Sequence, residues 1–254
     1  MLLFSSVSSK KTSFNFKRSL SIFLLSIINI IMLHFIIMKR SERAQIVSKI
    51  LNKAYPKTPV PLDHSDAYTL LIAVLLSAQC TDERVNTVTP ILFKKASDPK
   101  SMSKLTEKQI YKIIKPCGLG PKKSKAIKKL SKILVTEYDS KVPEDIQKLE
   151  KLPGVGHKTA SVVISQGFGI PAFPVDTHIH RLAQRWGLTN GKNVVKTEED
   201  LKKIFPKEDW NKLHLQIIFW GREFCQARAC HGLECTICVE CFPKRKKPFM
   251  HKRP

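Results

Sequence analysis

The chain has 254 residues, enough for one large or two modest domains, and its 43% hydrophobic content excludes a chain too polar to build a core. Lys and Arg number 44 against 21 Asp and Glu, a formal net charge of +23. An excess of that size points to nucleic acid or to an anionic membrane surface as partner.

In chain order, residues 1–40 carry six basic residues and no acid, and residues 20–38 are polar only at Ser21, Ser26, Asn29 and His34. That stretch nearly reaches transmembrane length. It reads as an upstream extension ahead of an ordinary start at Met38-Lys-Arg-Ser-Glu-Arg, as a signal anchor, or as an organelle presequence. The first reading is favoured, and residues 1–38 are set apart from the fold. The expected location is then cytoplasmic and nucleoid-associated, and organellar or membrane-anchored only if residues 1–38 are genuinely translated.

From Ser41 onward the apolar spacing is helical almost throughout and no run of alternating strands appears, so the fold class is all-α. Ser41 is the expected N-cap of a first helix with Ile46, Val47, Ile50 and Leu51 inward. Asp66 caps a helix that is apolar on nearly every side, which places it in the centre of a domain. Further helices are expected over residues 85–95, 106–115 and 121–138, the last with Ile127, Leu130, Ile133 and Leu134 inward and Lys122, Lys123, Lys125, Lys128 and Lys129 outward. Pro143 starts a short helix that Pro153 stops. Beyond it, helices are expected from Asp176 to about Trp186 and over residues 197–205 and 210–224.

Four features carry chemistry. Leu152-Pro-Gly-Val-Gly-His-Lys-Thr-Ala160 reads as helix, tight turn, helix, with Gly154 and Gly156 as turn glycines and backbone N–H groups aimed outward at a helix N-terminus, which suits a phosphate. Lys158 sits in the first turn of that second helix, beside the phosphate position, a setting for a nucleophilic amine. Asp176 is the only acid between Glu150 and Glu198 and stands where it can return to the same cleft as a proton shuttle or as a stabiliser of positive charge on a sugar ring. Gln79 ends the buried helix, a rigid mount for a polar side chain. Finally, five of seven cysteines, Cys225, Cys230, Cys235, Cys238 and Cys241, crowd into 17 residues, while Cys80 and Cys117 stand alone. In an intracellular basic protein such crowding marks a metal or cluster site.

Four blocks together resemble the endonuclease III family, helix-hairpin-helix DNA glycosylases with an iron–sulfur cluster. They are Leu70-Leu-Ile-Ala-Val-Leu-Leu-Ser-Ala-Gln79, the hairpin, Val175-Asp-Thr-His-Ile179, and Gly221-Arg-Glu-Phe-Cys225 with its cysteines. The resemblance implies two domains. A six-helix domain with the hairpin spans residues 60–170, a cluster-bearing helical domain combines residues 39–59 and 171–245, and residues 246–254 form a basic tail. It implies Lys158 and Asp176 as catalytic residues, with Gln79, Gly154, Val155, Gly156 and His157 at the DNA. The implied function is base-excision repair by a bifunctional DNA N-glycosylase and AP lyase that removes oxidised pyrimidines. The implied partner is double-stranded DNA containing damaged bases or abasic sites, with no small-molecule cofactor and a monomeric state. An adenine or thymine mismatch glycosylase and a non-catalytic DNA-binding module are the alternatives. The adenine-specific branch uses a glutamate in the buried helix, which has no acid here.

The family's C-x6-C-x2-C-x5-C spacing is not kept. The chain reads C-x4-C-x4-C-x2-C-x2-C. The expected ligands are Cys225, Cys235, Cys238 and Cys241, with Cys230 as alternative, holding a [4Fe–4S] cluster or zinc. Arg228, His231 and Lys244-Arg-Lys-Lys247 are candidate phosphate contacts.

Overall fold

The computed structural model describes residues 38–253. The apolar leader before Met38 lies outside them, and no helix among the described residues is long and apolar enough to cross a membrane. Of the unit that precedes Arg43 only residues 38–42 are described, where the Lys39 amide donates to Glu42 at 2.7 Å.

The helices run α1 (Arg40–Ala54), α2 (Ala67–Ser77), α3 (Asp82–Lys95), α4 (Pro99–Lys104), α5 (Glu107–Ile114), α6 (Gly120–Glu137), α7 (Ile146–Glu150), α8 (His157–Val162), α9 (Thr177–Arg185), α10 (Val194–Ile204), α11 (Trp210–Glu223) and α12 (Thr236–Cys241). No strand occurs among the described residues. Two apolar cores organise them. The first is built around α2, whose residues from Tyr68 to Leu76 are all buried. Asp66 starts α2 with a capping box: its carboxylate accepts the Thr69 amide at 2.8 Å, and Thr69 returns a hydroxyl to the Asp66 amide. A helix with apolar side chains on every face has to be surrounded, and α3, α6 and α8 surround it.

The second core gathers Val47 and Leu51 of α1 with Phe173, Leu182, Trp186, Leu201, Leu213 and Ile217. The chain thus enters the second core, builds the first and returns. Polar links among the described residues join the two. Arg222 of α11 pairs with Asp82 of α3 at 2.7 Å. His157 at the start of α8 reaches Glu198 of α10 at 2.9 Å. Asn211 accepts the Ala172 amide and donates to the Ser165 and Gly169 carbonyls. The Ser165 carbonyl lies in a π-helical stretch, Val163–Gly167, whose wider turn loosens the regular ladder.

Several boundaries differ from expectation for local reasons. Helix α1 begins at Arg40, so Ser41 lies inside it and does not cap it. Asp145, not Pro143, caps α7 by accepting the Lys148 amide at 2.8 Å. Asn193 caps α10 three residues before the expected start, and Thr197 turns inward to His180 at 2.8 Å. The short helices α4, capped by Asp98, and α12, inside the cysteine segment, have too few residues to show a period.

Lys123 is the largest departure. It is not outward but 5% exposed, and its ammonium donates to the carbonyls of Leu76 (2.8 Å), Ala78 (2.8 Å) and Cys117 (2.9 Å). Two of those acceptors are unpaired carbonyls at the C-terminal end of α2, where a cation is also favoured by the dipole. Burial pulls the lysine below its ordinary value. Lys123→Met is expected to leave the three carbonyls dry and to destabilise the fold by about 2–4 kcal/mol, read from the urea midpoint. A change within about 0.5 kcal/mol would contradict the capping role.

Candidate active site and cysteine group

The hairpin is built as a turn between α7 and α8. Val155 anchors it, with its side chain 6% exposed in the first core and its amide donating to Leu152 O at 3.1 Å. That amide is therefore not available to a phosphate. Gly154 has φ +81°, and a Cβ there would meet the Ala126 Cβ at 2.8 Å, so glycine is required on both counts. Gly156 differs from expectation. Its φ of −95° suits any residue, and a Cβ would meet nothing within 4 Å. What its bareness provides is open space before the first amides of α8, which no side chain caps.

His157 is exposed, yet both ring nitrogens are engaged, Nδ1 with Glu150 at 2.6 Å and Nε2 with Glu198 at 2.9 Å. Lys202 adds a further cation to Glu198 at 2.5 Å. The structure thus makes His157 a clasp between the hairpin and α10. Burial works against the charged ring, but its hydrogen bonds to Glu150 and Glu198 outweigh this and raise its pKa above the ordinary value. A raised folded-state value means the clasp's stabilisation is complete below about pH 6.5 and is lost as pH rises through that raised value. The Tm deficit of His157→Gln is accordingly expected to be largest near pH 6 and to shrink at alkaline pH. An equal deficit at both ends would show that the charge is irrelevant.

Lys158 follows on the exposed side of α8. Asp176 is half-buried at the start of α9, where it accepts the Ile179 amide at 2.8 Å and so holds a fixed position. The two charges converge on the same pair of imidazoles: His178 and His214 each feel both the Asp176 carboxylate and the Lys158 ammonium. Lysine and carboxylate thus lie within electrostatic reach of the same two rings. His214 was not anticipated. It is 2% exposed on α11, and burial pushes its pKa down to about 4, so this ring is neutral at physiological pH. Its only sequence signal is a histidine at a core position of an amphipathic helix.

Gln79 is exposed just beyond α2 with φ +56°, a left-handed turn that aims it away from the helix axis. Lys123 holds the carbonyls of Leu76 and Ala78 immediately before it. Cys80 and Cys117, which look isolated in the sequence, are neighbours here. Burial and the adjacent Cys80 push the Cys117 thiol up to about 11.

The sulfurs of Cys225, Cys230, Cys235 and Cys238 all lie within 4.8 Å of one another and are buried. Cys241 is buried too but is not one of the four; Cys230, the alternative ligand, takes its place. Cys238 and Cys241 both lie on α12, and of the two only Cys238 belongs to the group. Cys230 reaches the group through a strained bend in which Cys230 (φ 57°) and His231 (φ 44°) are both left-handed ahead of Gly232. Fully buried Arg185, at the far end of α9 from Asp176, donates to the Cys225 sulfur at 3.3 Å and to the carbonyls of Cys225, Gln226 and Ala227. The same helix thus positions the carboxylate and the cysteine segment.

The basic tail is docked. Arg245 donates to the Arg185 and Gly232 carbonyls and stacks on Phe242 at 3.9 Å, so it is a packing residue and not the phosphate contact expected of it. Lys252 exchanges backbone hydrogen bonds with the Gln184 amide side chain.

The profile of the HhH-GPD superfamily base excision DNA repair proteins matches residues 72–207. Endonuclease III of Bacillus subtilis (strain 168) is 42% identical over 202 residues, 78% of this chain and 92% of that one. Endonuclease III of Escherichia coli (strain K12) is 40% identical over 210 residues, 82% of this chain and 99% of that one. Among solved structures, a trapped covalent intermediate of endonuclease III with DNA aligns at a TM-score of 0.75 and 39% identity, covering 79% of this chain and 94% of that one. A thermostable thymine-DNA glycosylase, 24% identical with a TM-score of 0.69, shares the fold. With the profile spanning more than half of the chain and relatives at about 40% identity matched over nearly their whole length, the chain belongs to the endonuclease III family of HhH-GPD base excision DNA repair proteins.

Proposed function

We propose that this protein is a bifunctional DNA N-glycosylase and AP lyase that removes oxidised pyrimidines from double-stranded DNA, with Lys158 as nucleophile and Asp176 as its acid–base partner. The observation that supports this is that Lys158, beside the uncapped start of α8, and Asp176, at the start of α9, both act electrostatically on His178 and His214. Family membership supplies the reaction class and the DNA partner.

The damaged nucleotide has to leave the duplex first, since C1′ is out of reach inside the stack. Extrusion costs a few kcal/mol and least for a damaged base, which favours lesions. Gln79, exposed on its left-handed turn, would fill the gap. Phosphate bound at the start of α8 would set the register, with the +23 net charge providing salt-sensitive attraction.

Asp176 accepts a proton from Lys158, whose nitrogen forms a bond to C1′ as the N-glycosidic bond breaks and the base departs with that electron pair. The base takes up the proton released by the new C1′–N ammonium, and Asp176 returns its proton to O4′ as the C1′–O4′ bond opens, leaving a protonated imine between Lys158 and C1′. Loss of a C2′ proton then expels the 3′ phosphate oxygen by β-elimination and nicks the strand. Hydrolysis of the imine frees the lysine.

The four-cysteine group takes no part in these steps. Thiolate is the ligand type of both an iron–sulfur cluster, the family's reading, and of structural zinc. Either would brace residues 225–245 against α9. The mismatch-adenine branch is disfavoured because α2 contains no acid and Lys158 is present. The test is sodium borohydride trapping on thymine-glycol and abasic duplexes. A covalent protein–DNA adduct with strand nicking is expected, and salt-sensitive binding without adduct or nick on any lesion would establish a non-catalytic DNA-binding module instead.

A further inference from the structure

We infer that Cys225, Cys230, Cys235 and Cys238 bind a single tetrahedral zinc ion and that the four-iron cluster of the family is not what this chain holds. Two independent observations lead there. The first is spacing: the ligands that converge follow C-x4-C-x4-C-x2-C, and the cysteine beyond them, Cys241, is left out.

The second is size. Four sulfurs bonded at about 2.3 Å to one ion lie about 3.8 Å apart on a regular tetrahedron. Here Cys225 to Cys230 is 3.5 Å, Cys225 to Cys238 is 3.8 Å, Cys230 to Cys238 is 3.9 Å, and no pair exceeds 4.8 Å. On a four-iron core each thiolate sits on a different metal, which adds a full metal–metal separation to every one of those distances. The widest pair leaves about 1 Å for that (4.8 − 3.8), shorter than any metal–metal contact. The four sulfurs fit one ion and do not fit four.

The surroundings suit a closed thiolate site. Four thiolates on a divalent ion carry two net negative charges, which need compensation in a buried place. Arg185 donates to the Cys225 sulfur at 3.3 Å, Trp220 Nε1 to Cys235 at 3.5 Å and the Cys235 amide to Cys230 at 3.4 Å. All four ligands are thiolates with no position left open, the arrangement of a structural zinc site. The left-handed pair Cys230 and His231 has its strain offset by the ligand bond that the bend permits.

The test is metal and sulfide analysis of the full chain, expressed with both iron and zinc supplied and purified without oxygen. One zinc per chain, no acid-labile sulfide and no visible absorption band are expected, with tetrahedral thiolate bands in the visible after cobalt exchange. Iron with matching sulfide, or a chain that binds no metal, would overturn the assignment. Cys230→Ser is expected to lose the ion and Cys241→Ser to keep it; the reverse pattern would also overturn it. Borohydride trapping on the same preparations reads the catalytic proposal separately, because Lys158 and the cysteines lie on different segments.

Discussion

Lys158→Ala is expected to abolish covalent trapping and to lower lesion-strand cleavage on the order of 10⁴-fold or more, with the fold intact. Removing the amine removes the atom that bonds to C1′, so neither the imine nor the β-elimination that depends on it can form. The side chain is exposed on the first turn of a short helix, and alanine is a good helix residue, so unfolding is not the cause of the loss. The variant should still bind abasic DNA, because the α8 amides and the basic surface are unchanged. A variant that retained trapping would place the nucleophile elsewhere.

Asp176→Asn separates the acid–base role from the structural one. Asp176 accepts the Ile179 amide at the start of α9, and asparagine is about as good an N-cap, so the urea midpoint should hardly move. Proton transfer does not survive the change. Loss of a positioned acid–base group lowers rates by about 10²–10⁴-fold, and that range is expected for base release. Raising the pH should partly rescue the variant by delivering more neutral amine from solution equilibrium. A stability loss that parallels the rate loss would show that capping is all that Asp176 does.

Much of this was legible in the residues. Helix α2 announced itself by being apolar on every face, and Asp66 and Asp176 by standing one residue before a helical run. The hairpin was readable because Leu152, Val155 and Ala160 face a core while the glycines sit between them. What escaped depends on distant partners. Lys123 shares its helix with Lys122 and Lys125, and the carbonyl ends of α2, 45 and 47 residues earlier, draw it inward together with the Cys117 carbonyl. The partners of the His157 ring, Glu150 and Glu198, come from α7 and α10, and no spacing pairs them with it. Cys230 rather than Cys241 joins the sulfur group because a left-handed bend, which no spacing rule encodes, turns it inward. Arg245 reads as part of a solvated run, yet it stacks on Phe242.

The central claim is that one amine, among 44 lysines and arginines, performs the chemistry. The most direct measurement is to trap the wild-type protein on thymine-glycol DNA with borohydride, digest the adduct and locate the modified residue by mass spectrometry. The account predicts the sugar remnant on Lys158 alone. A remnant on any other lysine or on the N-terminal amine, with Lys158 unmodified, would contradict it.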